Sequence, residues 1–163
     1  MNNEPSFYSR RALLTIAATM AFFPTLTSWA QTPVAIEVYK DPNCGCCNGW
    51  VDHLRRNGFV VRAIDTKSLQ AIKARLGVPP DLASCHTATL NGYVIEGHVP
   101  AHAIQRLLDT KPEAIGLAVP GMPMGSPGME GGGEPETYEV TLFGSQPDRI
   151  FAIYRGSVAL RNL

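Results

Sequence analysis

The sequence is short of net charge, of cysteine and of long apolar runs, and each shortage excludes something. Only 17% of the 163 residues are charged, and 14 Lys+Arg balance 14 Asp+Glu. Zero net charge removes the electrostatic footprint expected of a chain that binds nucleic acid or an anionic membrane surface. Four cysteines are too few for a disulfide-built scaffold. No apolar run reaches the roughly 20 residues of a membrane-spanning helix. No internal repeat is visible. What remains, 45% hydrophobic residues in a chain of this length, suits one domain around one core.

The longest apolar run is informative by position. Arg10-Arg11 precede Ala12-Leu13-Leu14-Thr15-Ile16-Ala17-Ala18-Thr19-Met20-Ala21-Phe22-Phe23, and Ser28-Trp29-Ala30 offers small residues at a cleavage site. Residues 1–30 therefore read as a secretory signal, of the Sec or the twin-arginine type, followed by a single domain over 31–163. Export implies a bacterial periplasm and an oxidising compartment. Thiols kept as thiols there need a reason, and a bound metal is one.

Downstream of the signal, Val34–Tyr39 alternates and is rich in β-branched residues, as a strand does. Trp50, Val51 and Leu54 mark one face of a helix from about Cys46, stopped at Asn57-Gly58. A second strand follows over Phe59–Ile64, then a helix over about Ser68–Leu76. Thr87–Leu90 and Tyr93–Glu96 flank Asn91-Gly92, a strong hairpin signal. Pro100 opens a third helix carrying Ile104, Leu107 and Leu108. Gly116–Pro135 has 11 Gly or Pro among its residues and is expected to be a loop throughout. Two strands, Tyr138–Phe143 and Arg149–Tyr154, form a closing hairpin. The order predicts an α/β (α+β) domain: a mixed, thioredoxin-like sheet with flanking helices.

Three of the four cysteines fall within Cys44-Gly45-Cys46-Cys47, between the first strand and the first helix. Cys44 and Cys47 have the spacing of a thiol–disulfide redox site. N–H groups at a helix start also favour thiolate. Cys46 complicates that chemistry, because a third thiolate nearby could attack and scramble a Cys44–Cys47 bond. For a metal the crowding is useful, since soft sulfurs converge and each can bridge two ions. Cys85, just before the hairpin, is expected to face the other three. Two structural disulfides are the alternative use of four cysteines. They would gain little from such short loops, and a Cys46–Cys47 bond would be strained.

Methionine is absent from every predicted helix and strand. Beyond the signal it occurs only at Met122, Met124 and Met129, all in the Gly/Pro-rich loop. Thioethers there have no core face to fill, and they suit soft cuprous copper. His86 adjoins Cys85 and either completes a ligand set or bonds the backbone. His98 and His102 are either an i, i+4 metal pair or helix-entrance and surface residues. His53 reads as a solvated helix residue.

Several stretches together resemble the small periplasmic copper-resistance proteins of the CopG type, unrelated to the ribbon-helix-helix repressors of similar name. They are Tyr39-Lys40-Asp41-Pro42-Asn43-Cys44-Gly45-Cys46-Cys47, Ser84-Cys85-His86-Thr87, Glu96-Gly97-His98-Val99-Pro100-Ala101, Gly116–Pro123 and Gly125–Glu130. The resemblance implies a thioredoxin-like fold and cysteine-bridged copper. Its departures from ordinary thioredoxins are Cys85 where those carry a cis-proline, and Asn43 in place of an aromatic residue. Both favour a metal pocket over a cradle for substrate peptides. The expected site holds cuprous copper, more than one ion, on Cys44, Cys46, Cys47 and Cys85, capped by Met122, Met124, Met129 or His86. Copper ions, and a periplasmic copper protein or efflux component exchanging them, are the expected partners. A thiol–disulfide oxidoreductase using Cys44 and Cys47, and a disulfide-stapled interaction module, are the competing functions.

Overall fold

Alternation along strand β1 (Ala35–Lys40) turns Ile36, Val38 and Lys40 inward. In the computed structural model, residues 35–163 are described apart from Gln146, so the proposed signal lies outside the described residues. Helix α1 (Gly45–Arg56) buries Cys47, Trp50, Val51 and Leu54, a stripe at i, i+3, i+4 and i+7. Asn57 caps it, and Gly58 leaves it with φ +86°. The chain continues through β2 (Val60–Asp65), α2 (Leu69–Arg75) and one 3-10 turn at Pro80–Leu82. The hairpin of β3 (His86–Leu90) and β4 (Tyr93–Glu96) turns on Asn91 and Gly92, both at positive φ. Helix α3 (Ala101–Thr110) follows, with Pro100 just outside it as N-cap rather than as its first residue. Strands β5 (Gly116–Ala118), β6 (Thr137–Phe143), β7 (Arg149–Arg155) and β8 (Val158–Asn162) complete the chain.

The eight strands form one mixed sheet in the order β2-β1-β3-β4-β5-β6-β7-β8. The β1–β2 pair is parallel, as a crossover through α1 requires, and β3–β4 is antiparallel. The α+β architecture expected from the element order is the one observed. Its core joins Ile36, Val38, Trp50, Leu54, Ile95, Ile104, Leu107 and Leu117 with Val140 and Leu142 of the later strands.

Two strands were not expected. β5 lies at the start of the Gly/Pro-rich stretch, yet all three of its residues are buried. A Cβ on Gly116 would fall 1.7 Å from the Val94 carbonyl oxygen, so the glycine that weakens the strand pattern is what admits the strand beside β4. β8 is exposed along its whole length, so it carries no inward-facing pattern to read. Among the described residues no helix is long and apolar enough to cross a membrane.

Register brings four connections to one end of the sheet. β1 leaves at Lys40, which pairs with His86 at the start of antiparallel β3. β4 runs back to end at Glu96, opposite Thr87, and parallel β5 ends at Ala118 beside Glu96. The segments after β1, before β3, after β4 and after β5 therefore emerge together. They carry the cysteines, His86, His98 and the methionine loop.

Candidate metal centre

Cys44 is the N-cap of α1, and its sulfur accepts the Cys47 N–H at 3.3 Å. A turn in which Asp41 accepts the Asn43 N–H through Oδ1 and the Cys44 N–H through its carbonyl leads into the helix. The α1 stripe requires Cys47 to face inward, and it is fully buried. Cys44 and Cys46 stay half-exposed at the helix tip.

Cys85 meets this tip from across the sheet. Its Sγ lies 3.8 Å from Cys46 Sγ and 3.5 Å from Cys47 Sγ, and Cys44 Sγ is 3.5 Å from Cys46 Sγ. All four sulfurs fall within 4.8 Å of one another. Two of them are joined: Cys44 and Cys47 form a disulfide, while Cys46 and Cys85 are thiols. Four simultaneous thiolates, the sequence expectation, therefore describe the reduced protein and not the state observed. One helical turn between Cys44 and Cys47 puts their Cα atoms 5.3 Å apart, within the ordinary range for a disulfide.

A second donor set shares Cys85. His86 Nδ1 is 3.2 Å and His98 Nε2 3.1 Å from Cys85 Sγ, and both imidazoles are fully buried. His98 Nδ1 lies 2.8 Å from the Pro127 carbonyl oxygen. A carbonyl only accepts, so Nδ1 carries the proton and Nε2 turns its lone pair to the sulfur. A carbonyl fixing the tautomer in this way is the usual support of a metal-binding histidine. His86 is held by the Trp50 ring, 4.3 Å away between centroids. Among the described residues its Nε2 has no hydrogen-bond partner. The Cys85 thiol can donate to His98 Nε2 while His86, as its Nδ1–H tautomer, donates to the sulfur; as the Nε2–H tautomer His86 would turn a lone pair to a cation shared with Cys85 and His98.

Burial lowers the pKa of both imidazoles, His86 well below the usual histidine range with the His98 and Lys73 charges adding to the effect. Both rings are therefore neutral at pH 7, the form that ligates metal. Burial, and next the neighbouring Cys46, push the Cys85 thiol up to about 12. Without a cation Cys85 is thus a protonated thiol, and binding a metal there would release its proton.

The methionine loop reaches the site by its backbone. Pro127 holds His98, and Gly128, at φ +89°, lies against α1 so closely that a Cβ on it would fall 2.5 Å from the Cys46 carbonyl oxygen. Met122 is 53% exposed, and Met124 and Met129 are half-buried. The Met124 thioether lies over Gly132 within the loop itself.

Two histidines hold positions that the sequence does not reveal. His98 stands before Pro100, where capping or a surface role was as plausible as ligation, and only the strand register reveals its position. Its supposed partner His102 is exposed on α3. His53 is half-buried, and its Nε2 accepts the Ala101 N–H that opens α3. It is a cap between two helices, not a solvated residue.

Comparison with known proteins places this arrangement. Residues 82–129 match the family DUF411, described as a protein of unknown function. Nothing matches among curated proteins. Two solved structures titled copper resistance protein CopG are each 44% identical to this chain, with a TM-score of 0.72. The Form 2 structure covers 76% of this chain and 99% of its own, and the Form 1 structure covers 77% and 100%. This chain belongs to the CopG copper-resistance family. The matched family segment holds Cys85, His86, His98 and the three loop methionines, and leaves out Cys44, Cys46 and Cys47. In this CopG-family chain the α1 cysteines enter the same cluster through the sheet register.

Proposed function

We propose that the protein binds copper in copper resistance, taking cuprous ions onto the sulfurs of Cys44, Cys46, Cys47 and Cys85 once the Cys44–Cys47 bond is reduced. The observation that carries this reading is the mutual approach of the four sulfurs, with Cys85 shared between a sulfur set and a sulfur–imidazole set. Thiolates select cuprous copper and can bridge two ions, which suits more than one ion in the site. His86 and His98 are the nitrogen donors, and a site that mixes nitrogen with sulfur tolerates both copper oxidation states. Met122, Met124 and Met129 lie on the loop whose Pro127 and Gly128 meet the site by their backbone, and they offer thioethers for copper arriving or leaving. Residues 1–30 direct export to the periplasm, and residues 31–163 act there as one domain. The other parties to copper exchange are a periplasmic copper protein or an efflux component.

The test is an anaerobic cuprous titration against a competing chelator. The reduced protein is expected to retain more than one equivalent, the disulfide form less, and a variant with all four cysteines changed to serine none. Equal retention by the serine variant would defeat the proposal.

One observation favours a second reading. The Cys44–Cys47 disulfide, with a free thiol near each of its sulfurs, also suits thiol–disulfide exchange. Turnover in an insulin-reduction assay, undiminished by chelators, would favour that reading over copper binding. A module stapled by two disulfides would need Cys46 and Cys85 bonded, whereas they are thiols.

A further inference from the structure

Lys73 of α2 and Glu96 at the end of β4 form a direct ion pair, with 2% and 0% of their surfaces exposed. Replacing such a pair by apolar side chains is often neutral or stabilising, so a bonus to stability is a poor explanation for its presence. Its hydrogen bonds suggest a better one. Glu96 Oε1 accepts the Ser84 N–H at 2.6 Å, and Lys73 Nζ donates to the His86 carbonyl at 3.1 Å. One buried pair thus holds the backbone immediately before and immediately after Cys85. Ser84 precedes β3 and lies outside the strand ladder, so the carboxylate supplies an anchor that the sheet does not. The His86 carbonyl also accepts the Gly97 N–H at 3.1 Å, which ties the clamp to the segment carrying His98.

We propose that Lys73 and Glu96 are positioning residues for the sulfur site, gripping Ser84 and His86 so that Cys85 Sγ stays in contact with the α1 cysteines. The consequence for copper rests on the copper-binding reading above; the effect on Cys85 does not. Two measurements keep them apart. In a C44S/C46S background only Cys47 and Cys85 remain, and their disulfide equilibrium against glutathione reports how well they are held together without any metal. Copper retention is read with all four cysteines present.

K73M/E96L replaces the pair with apolar side chains and removes both grips. K73M/E96Q is equally uncharged but keeps an acceptor for the Ser84 N–H. With folding verified by circular dichroism, K73M/E96L is expected to lower the Cys47–Cys85 equilibrium constant and the copper affinity each by about tenfold or more. K73M/E96Q should recover most of that loss, which a purely electrostatic role would not allow. A folded K73M/E96L with an unchanged disulfide equilibrium overturns the assignment, and so does a K73M/E96Q that is equally impaired. If K73M/E96L does not fold, K73M/E96Q against the wild type carries the test. About a threefold loss is then expected for the missing His86 grip, on the scale of one net hydrogen bond, and no change overturns the assignment. A wild type that retains no copper, together with a disulfide equilibrium that still falls in the variants, would sink the copper reading and leave the clamp standing.

Discussion

Changing Cys85 to serine is expected to lower cuprous retention by the reduced protein by about a hundredfold or more. Loss of an outer-shell partner already costs roughly 10–100-fold in metal affinity, and Cys85 touches the metal directly in the proposed site. It is also the one atom common to the four-sulfur and the sulfur–imidazole sets. Serine keeps the shape but offers a hard oxygen where a cuprous ion wants a soft, bridging sulfur. Competition with a cuprous chelator reads the effect. Cys44 and Cys47 should still form their disulfide in this variant, because Cys85 is not part of that bond. An affinity within a few-fold of wild type would mean that copper sits on the α1 cysteines alone.

His98→Ala should have two separable consequences. The first is a loss of roughly 10–100-fold in copper affinity, since Nε2 aimed at Cys85 is the nitrogen with the best-defined lone pair in the site. The second is independent of metal. Removing the buried bond to the Pro127 carbonyl should cost about 1–3 kcal/mol, because that carbonyl loses its donor without gaining water. It should also loosen the Pro127–Gly128 contact with α1, which hydrogen exchange of residues 126–130 in the metal-free protein can detect. His98→Gln, able to donate to the carbonyl, should restore the loop more than the copper affinity. Unchanged copper affinity in both variants would make His98 a packing residue only.

Much of this site was legible before the fold, and the failures have physical reasons. Asn91-Gly92 and the Trp50–Val51–Leu54 stripe fix their elements by local chemistry, and local chemistry survives in a sequence. The convergence of Cys85 on the start of α1 could be anticipated because a thioredoxin-like sheet, the expectation from the element order, sets the loop before the hairpin against that helix tip. His98 could not be ranked, since its neighbour Pro100 is equally compatible with capping. Lys73 resembles any solvated lysine on a short helix, and nothing in the sequence indicates that it is the residue of α2 that turns inward to pair with Glu96. β5 was hidden because Gly116 is needed for a close approach to Val94, a tertiary demand that reads locally as a breaker.

The most direct check on the copper site is a copper-edge anomalous difference map from crystals of the reduced, copper-loaded protein. Peaks bridged by the sulfurs of Cys44, Cys46, Cys47 and Cys85, with His98 Nε2 in the same coordination sphere, are the result expected. Copper found only at exposed His102 or on the outer methionines, with the four sulfurs free of metal, would contradict it.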